Sequence, residues 1–412
     1  MAQFEVFVFI ICLAAVFSYI NHKFIKWPPT VGIMVLSLAT SALLVIAANL
    51  LPMQSKGLIH IITSIDFHSL LMNGMLSFLL FAGSMHIDAR SLKKQRLPIL
   101  SLATFGILIS TFLIGTLLYL LLMAFYFDIA YIYCLLFAAL ISPTDPIAVL
   151  AILKKAGIQK SLEIKIAGES LFNDGVAVVI FITILEVAQT GVDKLSIIDI
   201  TILFMREAGG GLLYGLMLGY LGYYALKSID KYEVEVLITI AIVMGGYLLA
   251  DKLHISGPLA MVVAGIVIGN KGRESGISDL TQEYLNKFWE LIDEILNALL
   301  FMLLGFEMLV LKIDSTIMII SAISVALVLF ARWVSVAIPV TLLRRKIGFE
   351  KNAIAILTWG GLRGGLSVAL ALSLPAEMHK DLFVTITYMV VIFSIIVQGL
   401  TIGKLYKKLS AK

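Results

Sequence analysis

Apolar stretches recur along the whole chain, and most of them are long enough to cross a lipid bilayer. A membrane-spanning helix needs about 20 mainly apolar residues, and the hydropathy pattern predicts thirteen such helices. They cover residues 4–20, 28–47, 67–86, 97–125, 129–153, 162–188, 208–227, 234–250, 256–270, 288–311, 316–343, 350–374 and 382–403. Two further runs, 57–66 and 195–206, are typical of helices that lie on the membrane surface. We therefore predict an all-α, polytopic membrane protein with one transmembrane domain, residues 1–412.

Composition supports a lipid environment and excludes several other classes of protein. The chain of 412 residues is 60% hydrophobic and 14% charged, with a mean hydropathy of +1.02. Soluble domains are about 45–50% apolar and about one quarter charged. Cys12 and Cys134 lie inside apolar runs, which favours neither a disulfide nor a thiolate metal site. The net charge of +4 is spread through short loops, so we expect no nucleic-acid partner.

Lysine and arginine residues are distributed unevenly between the two sides of the predicted membrane. The loops after odd-numbered spans, with the adjoining helix ends and the C-terminal tail, hold 23 of the 31 basic residues. The loops after even-numbered spans hold 6. Because basic loops stay in the cytoplasm, the N-terminus is predicted to lie outside and the C-terminus inside. No organelle-targeting segment is evident, so we expect an inner or plasma membrane.

The fifth predicted span contains an aspartate between two prolines, in the sequence SPTDP at residues 142–146. Each proline lacks an amide hydrogen and clashes with the preceding turn, so the helix is expected to unwind at Thr144 and Asp145. Non-helical backbone at membrane depth is tolerated only where it is buried in protein or lines a cavity. A charged side chain at this depth indicates a functional site. The segment is therefore predicted to supply oxygen atoms to an ion site.

The sixth span carries a second polar group, in the sequence GESLFNDG at residues 168–175. Glu169 and Asn173 are four residues apart, as are Ser170 and Asp174, so each pair lies on one helix face. The two stripes are adjacent and present carboxylate, hydroxyl and amide oxygens. These hard ligands suit hard cations, and no histidine or thiolate accompanies them.

The eleventh and twelfth spans each contain one arginine. Arg363 lies among four glycines in the sequence GGLRGG at 360–365, which favours a second helix break. The two breaks lie seven spans apart, one in each half of the chain. This arrangement is typical of inverted-repeat transporters, whose substrate site lies where the broken helices meet. Asp145 can compensate positive helix ends at the breaks, and Arg363 can compensate negative ones.

The number of charges inside the spans also bears on function. The carboxylates could simply pair with Arg332 and Arg363. Two arginines cannot, however, neutralise Asp145, Glu169 and Asp174 together. One carboxylate then remains for a mobile cation or a proton.

Four segments of the chain resemble a known family. SPTDPIAV, GESLFNDGVAVV, LFARWVSV and TWGGLRGGLSVAL are similar, in the same order, to motifs of the electroneutral branch of the monovalent cation:proton antiporters, the NhaP-like and NHE-like sodium/proton exchangers. The resemblance covers essentially the whole chain. It implies an inverted-repeat antiporter fold with two interrupted, crossing helices, the fifth and the twelfth. It also implies a core bundle at about 97–188 and 316–403, and interface helices of a homodimer at about 1–86 and 208–311.

The resemblance further implies which residues bind the transported ions. Asp174 would bind either the cation or the proton. The backbone carbonyl of Thr144, with Asp145 and Ser170, would complete a Na⁺ site around it. Partners would be monovalent cations, protons and membrane lipid, with no cofactor and no enzymatic activity.

The remaining polar residues receive supporting roles from the same resemblance. Glu169 and Asn173 would belong to the ion-binding group, with Glu169 held by Arg332 in an ion pair. Asn173 would be the neighbour that distinguishes this branch from electrogenic antiporters, which have an aspartate at that position. Arg332 and Arg363 would compensate charge.

Four functions remain open from the residues alone. The first is sodium (or lithium)/proton antiport, with one ion exchanged for one proton, by alternating access. The second is the same machine selecting potassium, because oxygen ligands serve both ions. A passive cation channel and an intramembrane hydrolase that uses paired aspartates are the third and fourth. Two broken helices fit a carrier better than a channel, and the chain lacks a Ser/His pair at matched depth.

Overall fold

The structure is a computed structural model that describes residues 3–50, 66–191, 194–274, 278–309, 314–344, 349–350 and 352–410. The described chain is helical almost throughout, and its main helices are numbered here in chain order. They are α1 (Gln3–Ile20), α2 (Pro29–Leu50), α3 (67–85), α4 (Arg96–Ala124), α5 (Tyr131–Ile141), α6 (Ile147–Lys155), α7 (Lys160–Thr190), α8 (Ile197–Lys227), α9 (Tyr232–Lys252), α10 (Gly257–Glu274), α11 (Asp279–Phe306), α12 (Ser315–Leu343), α13 (Ala353–Trp359), α14 (Gly365–Leu372) and α15 (Lys380–Ser410).

Within the described residues, every predicted span coincides with helix, so the prediction of an all-α polytopic membrane protein is confirmed. The fifth span is divided into α5 and α6, and the twelfth into α13 and α14. Within the described ranges, seven helical stretches are individually long and apolar enough to cross a membrane. In lipid, helices satisfy every backbone hydrogen bond within one segment, which explains why hydropathy alone located them.

The predicted surface helix at 195–206 is wrong as a separate element. Ser196 and Asp199 form a capping box, in which each side chain accepts a hydrogen bond from the backbone N–H of the other residue. The helix that starts there continues without a break to Lys227. No proline intervenes, and the glycines at 209–211 do not stop it. The other predicted surface run, 57–66, lies outside the described residues except for its last position.

The helices pack in two groups that meet around α7. In one group α4 packs against α5, and α12 packs against α4 and α15. In the other, α10 packs against α3 and α8, and α11 packs against α2. Glycines let α8 and α10 approach closely, because a methyl group at Gly215 would lie 2.6 Å from the Ala260 carbonyl oxygen. Small residues at such crossings are a common feature of membrane helices.

Candidate ion-binding site

The two helix breaks lie against each other and are joined by backbone pairing. Between α5 and α6, the chain at 142–146 is non-helical, as the two prolines require. Between α13 and α14, the chain at 360–364 is also non-helical. The Asp145 N–H donates to the Leu362 carbonyl oxygen at 2.8 Å, which forms an isolated antiparallel bridge. The crossing therefore brings the aspartate of one half beside the arginine segment of the other.

Glycine is required where the second break passes charged side chains. A methyl group at Gly364 would clash with the Asp145 carboxylate. A methyl group at Gly361 would clash with the guanidinium group of Arg332. The glycines thus allow the backbone to approach the charges closely, besides interrupting the helix.

Charged side chains compensate the helix ends exposed at the crossing. Arg363 Nη1 donates to the carbonyl oxygens of Ser142 and Pro143, the second at 2.8 Å, at the C-terminal end of α5. Asp145 Oδ1 accepts from the Ile147 N–H at 2.9 Å, at the N-terminal end of α6. These signs oppose the partial charges of the helix ends, positive at the N-terminus and negative at the C-terminus. The arginine and the aspartate therefore occupy the places that the sequence pattern predicts.

On α7, the buried residues Ser170 and Asn173 hold the first break in place. Asn173 Nδ2 donates to Thr144 Oγ1 at 2.8 Å, and Asn173 Oδ1 accepts from the Thr144 N–H at 3.3 Å. The hydroxyls of Thr144 and Ser170 are 3.1 Å apart. The Thr144 carbonyl oxygen belongs to the non-helical segment, outside any helical hydrogen-bond ladder. The segment is thus fixed against α7 by side chains of both predicted polar stripes.

Glu169 and Arg332 form a buried ion pair that ties α7 to α12. Arg332 Nη1 lies 2.6 Å from Glu169 Oε1, and the two side chains are only 7% and 2% exposed. Arg332 Nη2 also donates to the Leu357 carbonyl oxygen at 3.2 Å, near the end of α13. One of the three carboxylates of the fifth and sixth spans is therefore neutralised directly.

Asp174 lies at the crossing beside Asp145. Both are only partly exposed, and their charges are close enough to interact. Within the described part of the chain, the Asp174 carboxylate takes part in no hydrogen bond or ion pair. Glu169 is paired with Arg332, and Arg363 is bound to carbonyl oxygens. Of the two arginines inside the spans, only Arg363 therefore remains to balance the negative charges of Asp145 and Asp174. Such a site favours an added cation or proton.

Comparison with known proteins identifies the family. The family model "Sodium/hydrogen exchanger, transmembrane" matches residues 10–408. The chain belongs to this family. It is 48% identical over 407 residues to the Na(+)/H(+) antiporter NhaP of Pseudomonas aeruginosa, covering 97% of this chain and 96% of that one. It is 34% identical over 415 residues to the Na(+)/H(+) antiporter NhaH of Halobacillus dabanensis, covering 98% of both.

A solved structure agrees with the fold of this exchanger. The sodium proton antiporter MjNhaP1 from Methanocaldococcus jannaschii, at pH 8, aligns with a TM-score of 0.77 over 100% of both chains. Sequence identity over this alignment is 20%, so the match bears on the fold alone. The resemblance inferred from the four motifs is thereby confirmed at the level of family and fold.

Polar residues of α15, which the sequence did not single out, fix the second break of the exchanger. Ser394 Oγ accepts from the Arg363 N–H at 2.9 Å and donates to Gln398 Oε1 at 2.8 Å. Gln398 Nε2 donates to the Trp359 carbonyl oxygen at 3.0 Å, at the end of α13. Both residues lie in a π-helical turn, Ser394–Gln398. Their four-residue spacing in an otherwise apolar span is the signal that could have revealed them.

A second ion pair was also not predicted from the sequence. Lys165 lies near the start of the sixth predicted span and was counted among the basic residues of the preceding loop. Its side chain is 0% exposed, and Nζ lies 2.8 Å from Glu350 Oε2. Glu350 is the first residue of the twelfth predicted span, but the helix begins only at Ala353, so Glu350 lies outside the membrane-spanning helices. Burial alone would raise the pKa of Glu350, but hydrogen bonds from Lys165 and Ser161 outweigh it and hold the pKa below its ordinary value of 4.5. The pair joins α7 to the α12–α13 connection.

Proposed function

We propose that this exchanger carries sodium ions and protons in opposite directions, with Asp174 binding one or the other. The observation that carries the proposal is the charge balance at the crossing. Glu169 is paired with Arg332, and Arg363 is bound to carbonyl oxygens at the end of α5. Asp174 and Asp145, in contrast, are close enough for their negative charges to interact. The names of the similar bacterial antiporters favour sodium as the cation.

The proposed sodium ligands are all at the first helix break or on the facing side of α7. Asp174 and Asp145 supply carboxylate oxygens, Thr144 its backbone carbonyl, and Ser170 its hydroxyl. Asn173 positions Thr144 through two hydrogen bonds. Glu169 acts through the position of Arg332 rather than as a direct ligand, because its carboxylate is already engaged. Oxygen ligands of this kind match a hard, dehydrated monovalent cation.

Exchange follows from competition at one carboxylate. When Asp174 is ionised, the site binds sodium, and when it is protonated, the site carries a proton. In either case one positive charge is bound, so a cycle moves one charge each way and the membrane potential does no net work. The core bundle, 97–188 and 316–403, moves relative to the helices at 1–86 and 208–311 to alternate access. Turnover falls at low pH, where protons occupy Asp174, and at high pH, where return protons are scarce.

Orientation and assembly complete the proposal. The distribution of basic residues supports an N-terminus outside the cell membrane and a C-terminus in the cytoplasm. The helices at 1–86 and 208–311 form the interface of a homodimer. A green fluorescent protein fused after Lys412 should fluoresce, since it folds only in the cytoplasm. An alkaline phosphatase fusion that is active at that site would overturn the orientation.

Inverted membrane vesicles test the function directly. Respiration acidifies the vesicle interior, and a pH-sensitive dye reports how far added sodium, lithium or potassium dissipates the gradient. We expect sodium to dissipate it in vesicles with the parent chain and not in vesicles with Asp174→Asn. A response to potassium alone would indicate a potassium/proton antiporter instead. No response to any of the three cations between pH 5 and 9 would overturn the proposal.

A further inference from the structure

Two side-chain hydrogen bonds of the described chain join the two groups of helices whose relative movement the proposed exchange requires. His68 lies at the start of α3, among the interface helices, and its Nδ1 is 2.9 Å from the Ala369 carbonyl oxygen of α14, in the core bundle. Because a carbonyl oxygen can only accept, this nitrogen carries the hydrogen. Tyr388 Oη, on α15 of the core bundle, donates to the Leu304 carbonyl oxygen of α11, an interface helix, at 2.8 Å.

Both hydrogen bonds lie on the same side of the proposed ion site. Gly365, directly after the second break, packs against Leu300 of α11. Ala369 and Leu304 each lie four residues further along these two helices, about one turn away from the site. Helix α14 packs against both α11 and the start of α3 in this region. The distribution of lysine and arginine residues predicts that this side faces outside.

The contact made by Tyr388 is buried, so breaking it has a cost. Tyr388 is 1% exposed and Leu304 is fully buried. The Leu304 carbonyl is among the last four of α11, where the regular helical ladder of hydrogen bonds ends. Movement of α15 away from α11 would separate the hydroxyl from this carbonyl. Since a buried polar group that loses its partner destabilises that arrangement, the bond favours the state in which the two helices are together.

We propose that His68 and Tyr388 form an outer gate, whose hydrogen bonds to Ala369 and Leu304 hold the outer side closed. The bonds break when the core bundle moves to admit sodium from that side. A bond that is present in only one of two states shifts the equilibrium towards that state. The inference rests on the proposed alternating access, with Asp174 as the transport site.

The test compares the half-maximal sodium concentration for exchange from each side of the membrane. Right-side-out vesicles present the outer face to added sodium, inverted vesicles present the cytoplasmic face, and both are prepared with the same acid interior. Because apparent affinity depends on the fraction of protein open to that side, the ratio of the outer to the cytoplasmic value reports the balance between the two states. We expect Tyr388→Phe and His68→Leu each to lower this ratio about three- to fivefold, because one hydrogen bond of the closed state is lost.

Two control variants separate the gate from a general loss of structure. Ser41 Oγ donates to the Gly305 carbonyl at 3.0 Å, at the same end of α11, but both residues belong to the interface helices. Ser41→Ala therefore removes a buried hydrogen bond that the movement does not break, and its ratio should equal that of the parent. His68→Asn keeps a side-chain N–H donor, so its ratio should lie closer to the parent than that of His68→Leu.

Three outcomes would overturn the gate. One is an unchanged ratio in both Tyr388→Phe and His68→Leu, and another is an equal fall in Ser41→Ala. The third is a change of the outer and cytoplasmic concentrations by the same factor, because damage to the structure does not distinguish the two sides.

Failure of the transport mechanism itself gives a different result. In that case the parent chain does not exchange sodium, or Asp174→Asn retains exchange in the same vesicles. Failure of the gate alone leaves exchange by the parent chain intact and its loss in Asp174→Asn unchanged.

Discussion

The charged residues inside the spans of this exchanger differ in whether each one has a fixed partner. Glu169 and Arg332 neutralise each other at 2.6 Å, and Arg363 binds backbone carbonyls at the end of α5. Asp145 caps α6 through the Ile147 N–H. Asp174 has no such partner in the described part of the chain. The residue without a fixed partner is therefore the one assigned to exchange ions.

Removing one member of the buried ion pair should destabilise the protein strongly. Arg332→Met leaves Glu169 as an uncompensated buried charge, which costs about 3–5 kcal/mol. The double variant Glu169→Gln with Arg332→Met should recover part of this loss, because neither charge remains. Melting temperatures of the parent, Arg332→Met and the double variant, purified in detergent, check this order of stability. A double variant less stable than Arg332→Met would contradict the account.

At the scale of helices, the site depends on two interruptions that meet. The breaks are joined by the bridge between Asp145 and Leu362. Asn173 on α7 holds the first break, and Ser394 with Gln398 on α15 hold the second. Non-helical backbone at membrane depth is therefore supported on both sides by side-chain hydrogen bonds, which provide partners that lipid cannot.

Gly364→Ala should reduce exchange at least about tenfold, because its methyl group would clash with Asp145 and displace a carboxylate of the site. Gly245→Ala on α9 is the matched control, since nothing lies within 4 Å of the added methyl group. Exchange rates in vesicles, normalised to the amount of protein, check the comparison. Equal rates in the two variants would show that the close approach at Gly364 is not required.

The ion pair between Lys165 and Glu350 should make stability depend on pH. The pKa of Glu350 is held below its ordinary value, so its ionised form stabilises the fold above that value and the contribution is lost as pH falls through the lowered pKa. Glu350→Gln should cost about 3 kcal/mol at neutral pH, because it leaves Lys165 buried without its carboxylate partner. The difference in the free energy of unfolding between the variant and the parent should narrow as pH falls below 4.5, the ordinary pKa of glutamate, and through the lowered pKa of Glu350.

Thermal unfolding at several pH values checks this dependence. Glu283→Gln is the control, because both members of its ion pair with Lys287 are exposed and water screens their attraction. If the difference in stability between Glu350→Gln and the parent stays constant from neutral to acid pH, the ion pair between Lys165 and Glu350 does not make stability depend on pH.

At the scale of the molecule, the sequence predicted spans and breaks better than contacts between distant segments. Hydropathy located the helices, and Pro143, Pro146 and the glycines of the twelfth span located the interruptions, because these features act locally. The pairing of Asp145 with Leu362 joins residues more than 200 positions apart, which no local pattern reveals. Lys165 was assigned to a loop because its burial depends on Glu350, far along the chain.

The two halves of the molecule supply different groups to the proposed site. The first half supplies the oxygen ligands proposed for the cation, on the fifth and sixth spans. The second half supplies both arginines, on α12 and at the second break. Neither half alone balances its charges, so the site exists only where the halves cross.

The measurement that tests the central claim most directly is sodium binding to the purified protein by calorimetry, in buffers of different ionisation enthalpy. Comparing the buffers gives the number of protons released per sodium ion bound. As pH is lowered, more of the Asp174 carboxylate is protonated before sodium binds. The number of protons released should therefore rise towards one per sodium ion. Asp174→Asn should neither bind sodium with comparable affinity nor release a proton. Sodium binding without proton release at every pH, or unchanged binding by Asp174→Asn, would contradict competition at this carboxylate.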